Sequence, residues 1–316
     1  MCAMSTDIAV EVENLAKHYP PDIKAVDDIS FEIKSRQIFS LLGPNGAGKT
    51  TTVEILEGLR NPTSGKVKVL GIDVTKNYAK IRKRVGILPQ NFEPFDLLKP
   101  PEAVIYWARL FGMTFTRKDV DKIIEDVGLS DRKAIVSKKL SGGEKRKLGI
   151  ALSLVNNPEL LFLDEPTTGL DPKARRDVWR LLEEIKGEGT TILLTTHYLE
   201  EAEKLANVVA IMHKGKIIAE GSPENLIAKY GRKTNIVLSG AGKAGLEEIK
   251  RRGIPASEMN GDVLVPCDDR SEMRTYFAKL SALDITMKDM YTRRDTLEDV
   301  FLRLIGQKME DGELQE

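Results

Sequence analysis

Ile8, Val10 and Val12 alternate with polar residues, and so do Ile29, Phe31 and Ile33, a period of two that marks half-buried strands. A third, more continuously apolar run, Ile38–Leu42, ends in Gly43-Pro44-Asn45-Gly46, so three short strands are expected to open the chain. Lys49–Leu59 reads as a helix stopped by Asn61 and Pro62, with further strands at Val67–Leu70 and Val85–Leu88. Between Gln90 and Leu140 the period lengthens. Ala103–Phe111 and Lys118–Val127 are predicted helices, the second with Val120, Ile123, Ile124 and Val127 on one face and Gly128 as its stop. This segment, about residues 91–140, is expected to be an inserted helical subdomain.

Beyond it, predicted helices at 142–154, 173–185 and 199–205 alternate with apolar strands at 160–163, 191–194 and 208–212. Such alternation implies a mainly parallel sheet covered by helices. A Lys214-Gly215 turn leads into Ile217 and Ile218, and Ser222-Pro223 begins a short helix that stops at Gly231. A weaker cycle follows, with strands expected at 236–238, 263–265 and 285–287 and helices at 243–251, 272–280 and 297–304. The expected class is α/β: residues 1–230 form a core with a mainly parallel sheet, an antiparallel N-terminal β part and the helical insert. Residues 231–233 are expected to be a linker, 234–316 a small α+β domain, and Glu310–Glu316 a frayed end.

Composition narrows the function. The chain has 316 residues with 48 Lys+Arg against 48 Asp+Glu. Residues 231–316 carry 14 basic and 16 acidic side chains and the remainder 34 and 32, so neither part has the positive field that advertises nucleic acid or anionic lipid. The longest apolar run is Ala103–Ala108, far short of the roughly 20 residues that span a bilayer, so any membrane role is expected to pass through a partner. Met1–Val12 lacks a basic segment followed by an apolar stretch, so no secretory leader is expected. Cys2 and Cys267 are too few for a disulfide scaffold or a four-cysteine zinc site, which suits a reducing cytoplasm.

Gly43-Pro44-Asn45-Gly46-Ala47-Gly48-Lys49-Thr50 fits G-x-x-x-x-G-K-[ST] and lies between a predicted strand and a predicted helix. A loop this rich in glycine can turn its N–H groups inward, so Gly43, Asn45, Gly46, Ala47, Gly48, Lys49, Thr50 and Thr51 are expected to bind the phosphates of a nucleotide. Lys49 would reach the β- and γ-phosphates and Thr50 would ligate Mg2+. Such a site needs an acid at the tip of another strand, which Leu160–Leu163 followed by Asp164 and Glu165 supplies. Asp164 is expected to hold Mg2+, and Glu165 to take a proton from the attacking water.

Leu140-Ser141-Gly142-Gly143-Glu144-Lys145-Arg146-Lys147 shows which phosphate-loop family is involved. The whole set resembles the ATP-binding subunit of an ATP-binding-cassette (ABC) transporter. Ser141, Gly142 and Gly143 open a helix and form a second anion-binding N-terminus competent to cap a γ-phosphate. The resemblance implies that the two phosphate-binding elements of one site come from opposite subunits, so a second copy of the cassette or a paralogous one is expected as partner. It further implies that Tyr19 stacks on adenine, and that Gln90 contacts Mg2+ and the attacking water while linking the core to the helical insert. By the same resemblance Asp171, in Gly169-Leu170-Asp171, belongs to the loop by which cassettes sense each other, and His197 is the switch histidine at the γ-phosphate. Glu144 stands where the family more often has Gln, an acid that suits the helix dipole. Thr168-Gly169 replaces the more usual Ser-Ala. Tyr291–Gln307 resembles the C-terminal end of cassettes that power drug, antibiotic or polysaccharide exporters.

The implied function is ATP binding and hydrolysis that drives a separate integral membrane permease, with ATP and Mg2+ as ligands and no nucleic acid as partner. The chain would then sit at the cytoplasmic face of the membrane through its permease. The alternative is a soluble cassette ATPase acting on a non-membrane partner, although one phosphate loop and two cysteines lack the tandem cassettes or zinc cysteines usual there.

Overall fold

β1 (Ile8–Tyr19) and β2 (Ile23–Lys34) pair antiparallel along most of their length and lead into the short β3 (Ile38–Leu42). The computed structural model describes residues 8–231 and 234–310, with side chains to 306, and divides into two compact units between Ser222 and Pro223. The linker expected at 231–233 and the frayed end lie largely outside the described residues.

In the first unit, α1 (Lys49–Leu56) follows β3. Next come β4 (Ser64–Val69), β5 (Ile72–Asp73), α2 (Val74–Ile81) and β6 (Val85–Leu88). The antiparallel sheet has the order β2-β1-β4-β5. The helical insert holds α3 (Pro100–Leu110) and α4 (Arg117–Asp126), and α5 (Gly142–Ser153) leads back to β7 (Leu160–Asp164). α6 (Pro172–Gly187), β8 (Thr191–Thr196), α7 (Leu199–Leu205), β9 (Val208–His213) and β10 (Lys216–Gly221) complete the unit. The central sheet has the order β10-β9-β3-β8-β7-β6, parallel except for β10.

β3 is paired on both sides, and all five of its residues are buried, as a central parallel strand requires. The two sheets share one apolar core, in which Phe31 of β2 and Phe39 of β3 stack with ring centroids 5.3 Å apart. Each large apolar side chain so buried contributes about 1.5–3 kcal/mol. In register, Leu42 faces Thr196 and Asp164 faces Thr195, so β3, β7 and β8 end together on one edge. Polar side chains at that edge therefore converge, the usual site location in an open parallel sheet.

The second unit contains α8 (Pro223–Tyr230), β11 (Thr234–Ser239), α9 (Gly242–Arg251), β12 (Ser257–Met259), β13 (Asp262–Cys267), α10 (Arg270–Ser281), β14 (Asp289–Arg293) and α11 (Leu297–Glu310). Its antiparallel sheet, of order β12-β13-β11-β14, forms a βαββαβ arrangement. α8 falls in this unit because Arg303 of α11 donates to the Tyr230 carbonyl and to Asp295 at 2.9 Å.

Several elements differ from expectation. The strand expected at 285–287 is irregular chain, and the ladder is made instead by 289–293, where Met290 pairs with Leu238. Ile285 and Met287 pack against the apolar core of this unit, so their alternation reports burial and not pairing. β1 and β2 are longer than predicted, running through polar positions that their ladder partners satisfy.

Candidate functional site

The loop between β3 and α1 is shaped by close backbone approaches. A Cβ on Gly43 would lie 2.3 Å from the Met212 carbonyl oxygen, and one on Gly48 would lie 2.2 Å from that of Ala25. Gly48 also has φ 101°, in the left-handed region that glycine adopts without strain. These constraints place Lys49 and Thr50 at the helix N-terminus. Lys49 is only 5% exposed, and its Nζ donates to the Gly43 oxygen at 2.8 Å and to the Pro44 oxygen at 3.1 Å. Burial pushes its pKa down, against the opposing pull of Glu165 and Asp164.

Opposite the loop, Asp164 ends β7. Thr50 Oγ1 lies 3.4 Å from Asp164 Oδ2, while Thr195 donates its hydroxyl to the other oxygen of the same carboxylate. A hydroxyl and a carboxylate facing each other beside a phosphate loop fit Mg2+, a hard cation that takes few protein oxygens and fills its remaining positions with phosphate and water. The residues present therefore suit the expected ion.

Glu165 is the hub of the site. It is buried, yet has φ 47°, a left-handed backbone that costs a non-glycine residue about 1–3 kcal/mol unless its surroundings enforce it. Its N–H donates to the Thr195 hydroxyl at 3.0 Å. Its Oε2 accepts from Gln90 Nε2 at 3.2 Å and from the Thr168 hydroxyl at 3.0 Å. Its Oε1 lies 3.9 Å from Lys49 Nζ and 3.2 Å from His197 Nδ1, the latter contact lacking hydrogen-bond alignment. Sequence-predicted Lys49, Thr50, Gln90, Asp164, Glu165 and His197 are thus brought together.

The other predicted residues stand around this cluster. Asn45 and Gly46 are exposed on the phosphate loop, Ala47 is buried beneath it, and Thr51 is half-buried in the first turn of α1. Tyr19 ends β1, half-buried, with Lys17 Nζ 5.2 Å and the Arg60 guanidinium 5.6 Å from its ring centroid. Ser141 caps α5: its hydroxyl accepts the Glu144 N–H at 3.3 Å, and Glu144 accepts the Ser141 N–H at 2.9 Å, a capping box. The acid at position 144 therefore caps its own helix with one oxygen, while the other accepts from Arg132 Nε. A Cβ on Gly143 would press on Ala174 at 2.8 Å and one on Gly142 would touch Leu170 at 3.7 Å. That places the Ser141–Gly143 turn beside the loop of Asp171, which itself caps α6 through Lys173 and Ala174.

Sequence reasoning missed Thr195, Thr168 and Arg146, since a hydroxyl near a strand end, a second in the turn after β7 and one arginine among Glu144, Lys145 and Lys147 carry no distinguishing pattern. It also missed Glu57, at the C-terminal end of α1 and only 6% exposed. Burial first, then the carboxylates of Asp164 and Glu54, push Glu57 up to about 8 from 4.5. Because this folded-state value is the higher one, the associated stability is full below about pH 4.5 and is lost as pH rises through about 8, at up to about 1.4 kcal/mol per unit. Glu57→Gln is expected to leave the melting temperature at about pH 5 little changed and to raise it by several degrees at about pH 9. Parallel melting curves for parent and variant across that range would refute this reading of Glu57.

Comparison with known proteins agrees with the geometry. A family model described as "ABC transporter" matches residues 26–168. The chain is 37% identical over 306 residues to the daunorubicin resistance ATP-binding protein DrrA3 of Streptomyces coeruleorubidus, covering 95% of this chain and 96% of that protein. It is 38% identical over 318 residues to the Nod factor export ATP-binding protein I of Cupriavidus metallidurans, covering 96% of this chain and 99% of that one. Among solved structures, a dimeric bacterial ABC transporter cassette is 26% identical with a TM-score of 0.61, covering 67% of this chain and 98% of the other.

Proposed function

The chain belongs to the ABC transporter family and is an ATP-binding, ATP-hydrolysing cassette, and from that premise we propose that it powers a separate membrane permease that exports drugs, lipids or polysaccharide. The observation that carries the mechanism is the Glu165 carboxylate, met at once by Gln90, Thr168, His197 and Lys49 across from Thr50 and Asp164. ATP would lie with its phosphates on the loop of Gly43–Thr51 and its adenine against Tyr19. Lys49, released from the Gly43 and Pro44 carbonyls, would turn its ammonium to the β- and γ-phosphates. Thr50, Asp164 and Gln90 would hold Mg2+, whose chemistry is to neutralise charge on the phosphate oxygens. Gln90 would orient the attacking water, Glu165 would accept its proton, and His197 would steady the γ-phosphate.

Ser141, Gly142 and Gly143 are exposed or half-buried at a helix N-terminus, available to cap the γ-phosphate bound by a second cassette. Each site would be completed only on closure of two copies, or of this chain with a paralogue, and hydrolysis would reopen the pair. Among the described residues no helix is long and apolar enough to cross a membrane. In this reading the permease provides the transport path and this chain works at its cytoplasmic face. The export direction draws on the printed name of the Nod factor relative and on matches that run through the C-terminal unit.

The surface just beyond Gln90 suits an apolar partner. Leu97 is 81% and Leu110 60% exposed, and the exposed rings of Phe95 and Tyr106 meet edge-on with centroids 5.1 Å apart. Capture of the tagged chain from detergent extracts of the cells that naturally make it is expected to retain a polytopic membrane protein, read by mass spectrometry. The pair Leu97→Asp and Leu110→Asp is expected to lower the yield at least about tenfold while leaving ATP turnover by the isolated chain intact. Retention unaffected by both substitutions would remove this surface as the permease contact.

A further inference from the structure

α5, the helix that opens at Ser141, carries a cation into the core of the site. Arg146 is 9% exposed, whereas its neighbours Lys145 and Lys147 reach outward to Glu93 at 3.1 Å and Asp177 at 3.7 Å. Its partners are backbone carbonyls. Nε donates to the Pro166 oxygen at 2.7 Å. Nη2 donates to the oxygens of Asp164 at 2.7 Å and Glu165 at 2.9 Å. Nη1 donates to those of Pro89 at 3.2 Å and Gln90 at 3.3 Å. An arginine has five N–H donors in a rigid plane, and here five carbonyls receive them.

Those carbonyls come from two turns that are distant in sequence. One follows β6 and carries Pro89 and Gln90; the other starts at Asp164, the last residue of β7, and runs through Glu165 and Pro166. Nothing else among the residues named above binds both turns through the backbone. The Glu165 backbone is also the strained one, at φ 47°, and such a conformation persists only when both sides are held. Thr195 holds its N–H and Arg146 holds its carbonyl. Burial pushes Arg146 down to about 10, against the favourable fields of Asp164, Glu201 and Glu165, so the guanidinium is still charged at neutral pH.

We propose that Arg146 is a positioning residue for ATP hydrolysis, a planar clamp that fixes the Gln90 turn and the Glu165 turn at one separation and ties both to the helix beginning at Ser141. The 3.2 Å contact between the Gln90 amide and the Glu165 carboxylate is then set by the guanidinium beneath it. A displacement of the Gln90 turn by a bound partner is transmitted to the carboxylate through one side chain. The proposal rests on the assignment of Glu165 as the base.

Its test is kinetic, on the full chain. Arg146→Lys keeps the charge but replaces the fork with a compact ammonium on a flexible stem, which cannot span both turns. Arg146→Gln leaves no buried charge to compensate and reaches one turn only, so it serves should the lysine variant fail to fold. For either, kcat is expected to fall about 10–100-fold while the Kd for ATP stays within about threefold, because Lys49 and the phosphate loop are untouched. In a Glu165→Gln background the same substitution is expected to cost less than about threefold, since the group it positions is already gone. A kcat within about twofold of the parent, a parallel loss of ATP affinity, or equal fold-losses in both backgrounds would overturn the proposal. The two levels separate cleanly: near-parent turnover by Glu165→Gln alone sinks the base assignment, whereas an inactive Glu165→Gln with fully active Arg146 variants sinks only the clamp.

Discussion

Glu165→Gln lowers ATP turnover by about 10²–10⁴-fold while ATP affinity stays within about threefold of the parent, the range expected when a positioned general base is removed. The isosteric amide can still accept from Gln90 and Thr168, so the hub keeps its shape. What disappears is the basic oxygen that would take the proton from water. Binding survives because the groups assigned to the phosphates, Lys49 and the N-terminus of α1, belong to a different element. Removing one carboxylate also leaves Lys49 with Asp164 as a counter-charge, so the buried cation is not abandoned. Single-turnover and binding measurements on the same preparation check this, and turnover near the parent rate would exclude Glu165 as the base.

Lys49→Ala acts the other way, on binding. Its ammonium is buried, held by two loop carbonyls and within 3.9 Å of Glu165. Deleting it leaves two buried carboxylates without one of their nearby cations and the phosphate tail without its strongest donor. Breaking a desolvated charge pair typically costs about 2–5 kcal/mol, so the Kd for ATP is expected to rise about 30- to 5,000-fold. Equilibrium titration with a fluorescent ATP analogue reads this directly, and an unchanged Kd refutes the phosphate role. The contrast between the two variants is informative, because one separates hydrolysis from binding and the other weakens the binding on which hydrolysis depends.

The parts of this site legible in the sequence are those where chemistry and backbone geometry demand particular residues in a short window. Gly43, Gly48, Lys49 and Thr50 are such a case: the close approaches to Met212 and Ala25 tolerate no Cβ, and the helix N-terminus needs its lysine one residue on. Asp164 and Glu165 were legible because four apolar residues bury the strand that ends in them. Arg146 was not, since a side chain that spans two distant turns leaves no local period. Thr195 was equally silent, because a hydroxyl at the end of an apolar strand looks like ordinary strand chemistry until β8 is seen beside β7. In the C-terminal unit the apolar alternation located the core but misplaced a strand, as Ile285 and Met287, partly buried, pack against the core without joining the ladder that Asp289–Arg293 completes. Patterns of burial are written locally, and pairing across a sheet is not.

The central claim is that ATP joins two cassettes, each supplying Ser141–Gly143 to the other's phosphate loop, and that Glu165 then consumes the ATP that holds them. The most direct test is sedimentation of the Glu165→Gln chain with ATP and Mg2+, against the same chain with ADP. A dimer with ATP that falls to monomer with ADP, and that is lost on adding Ser141→Arg, is the predicted result. A chain that binds ATP yet has the same mass with either nucleotide would contradict it.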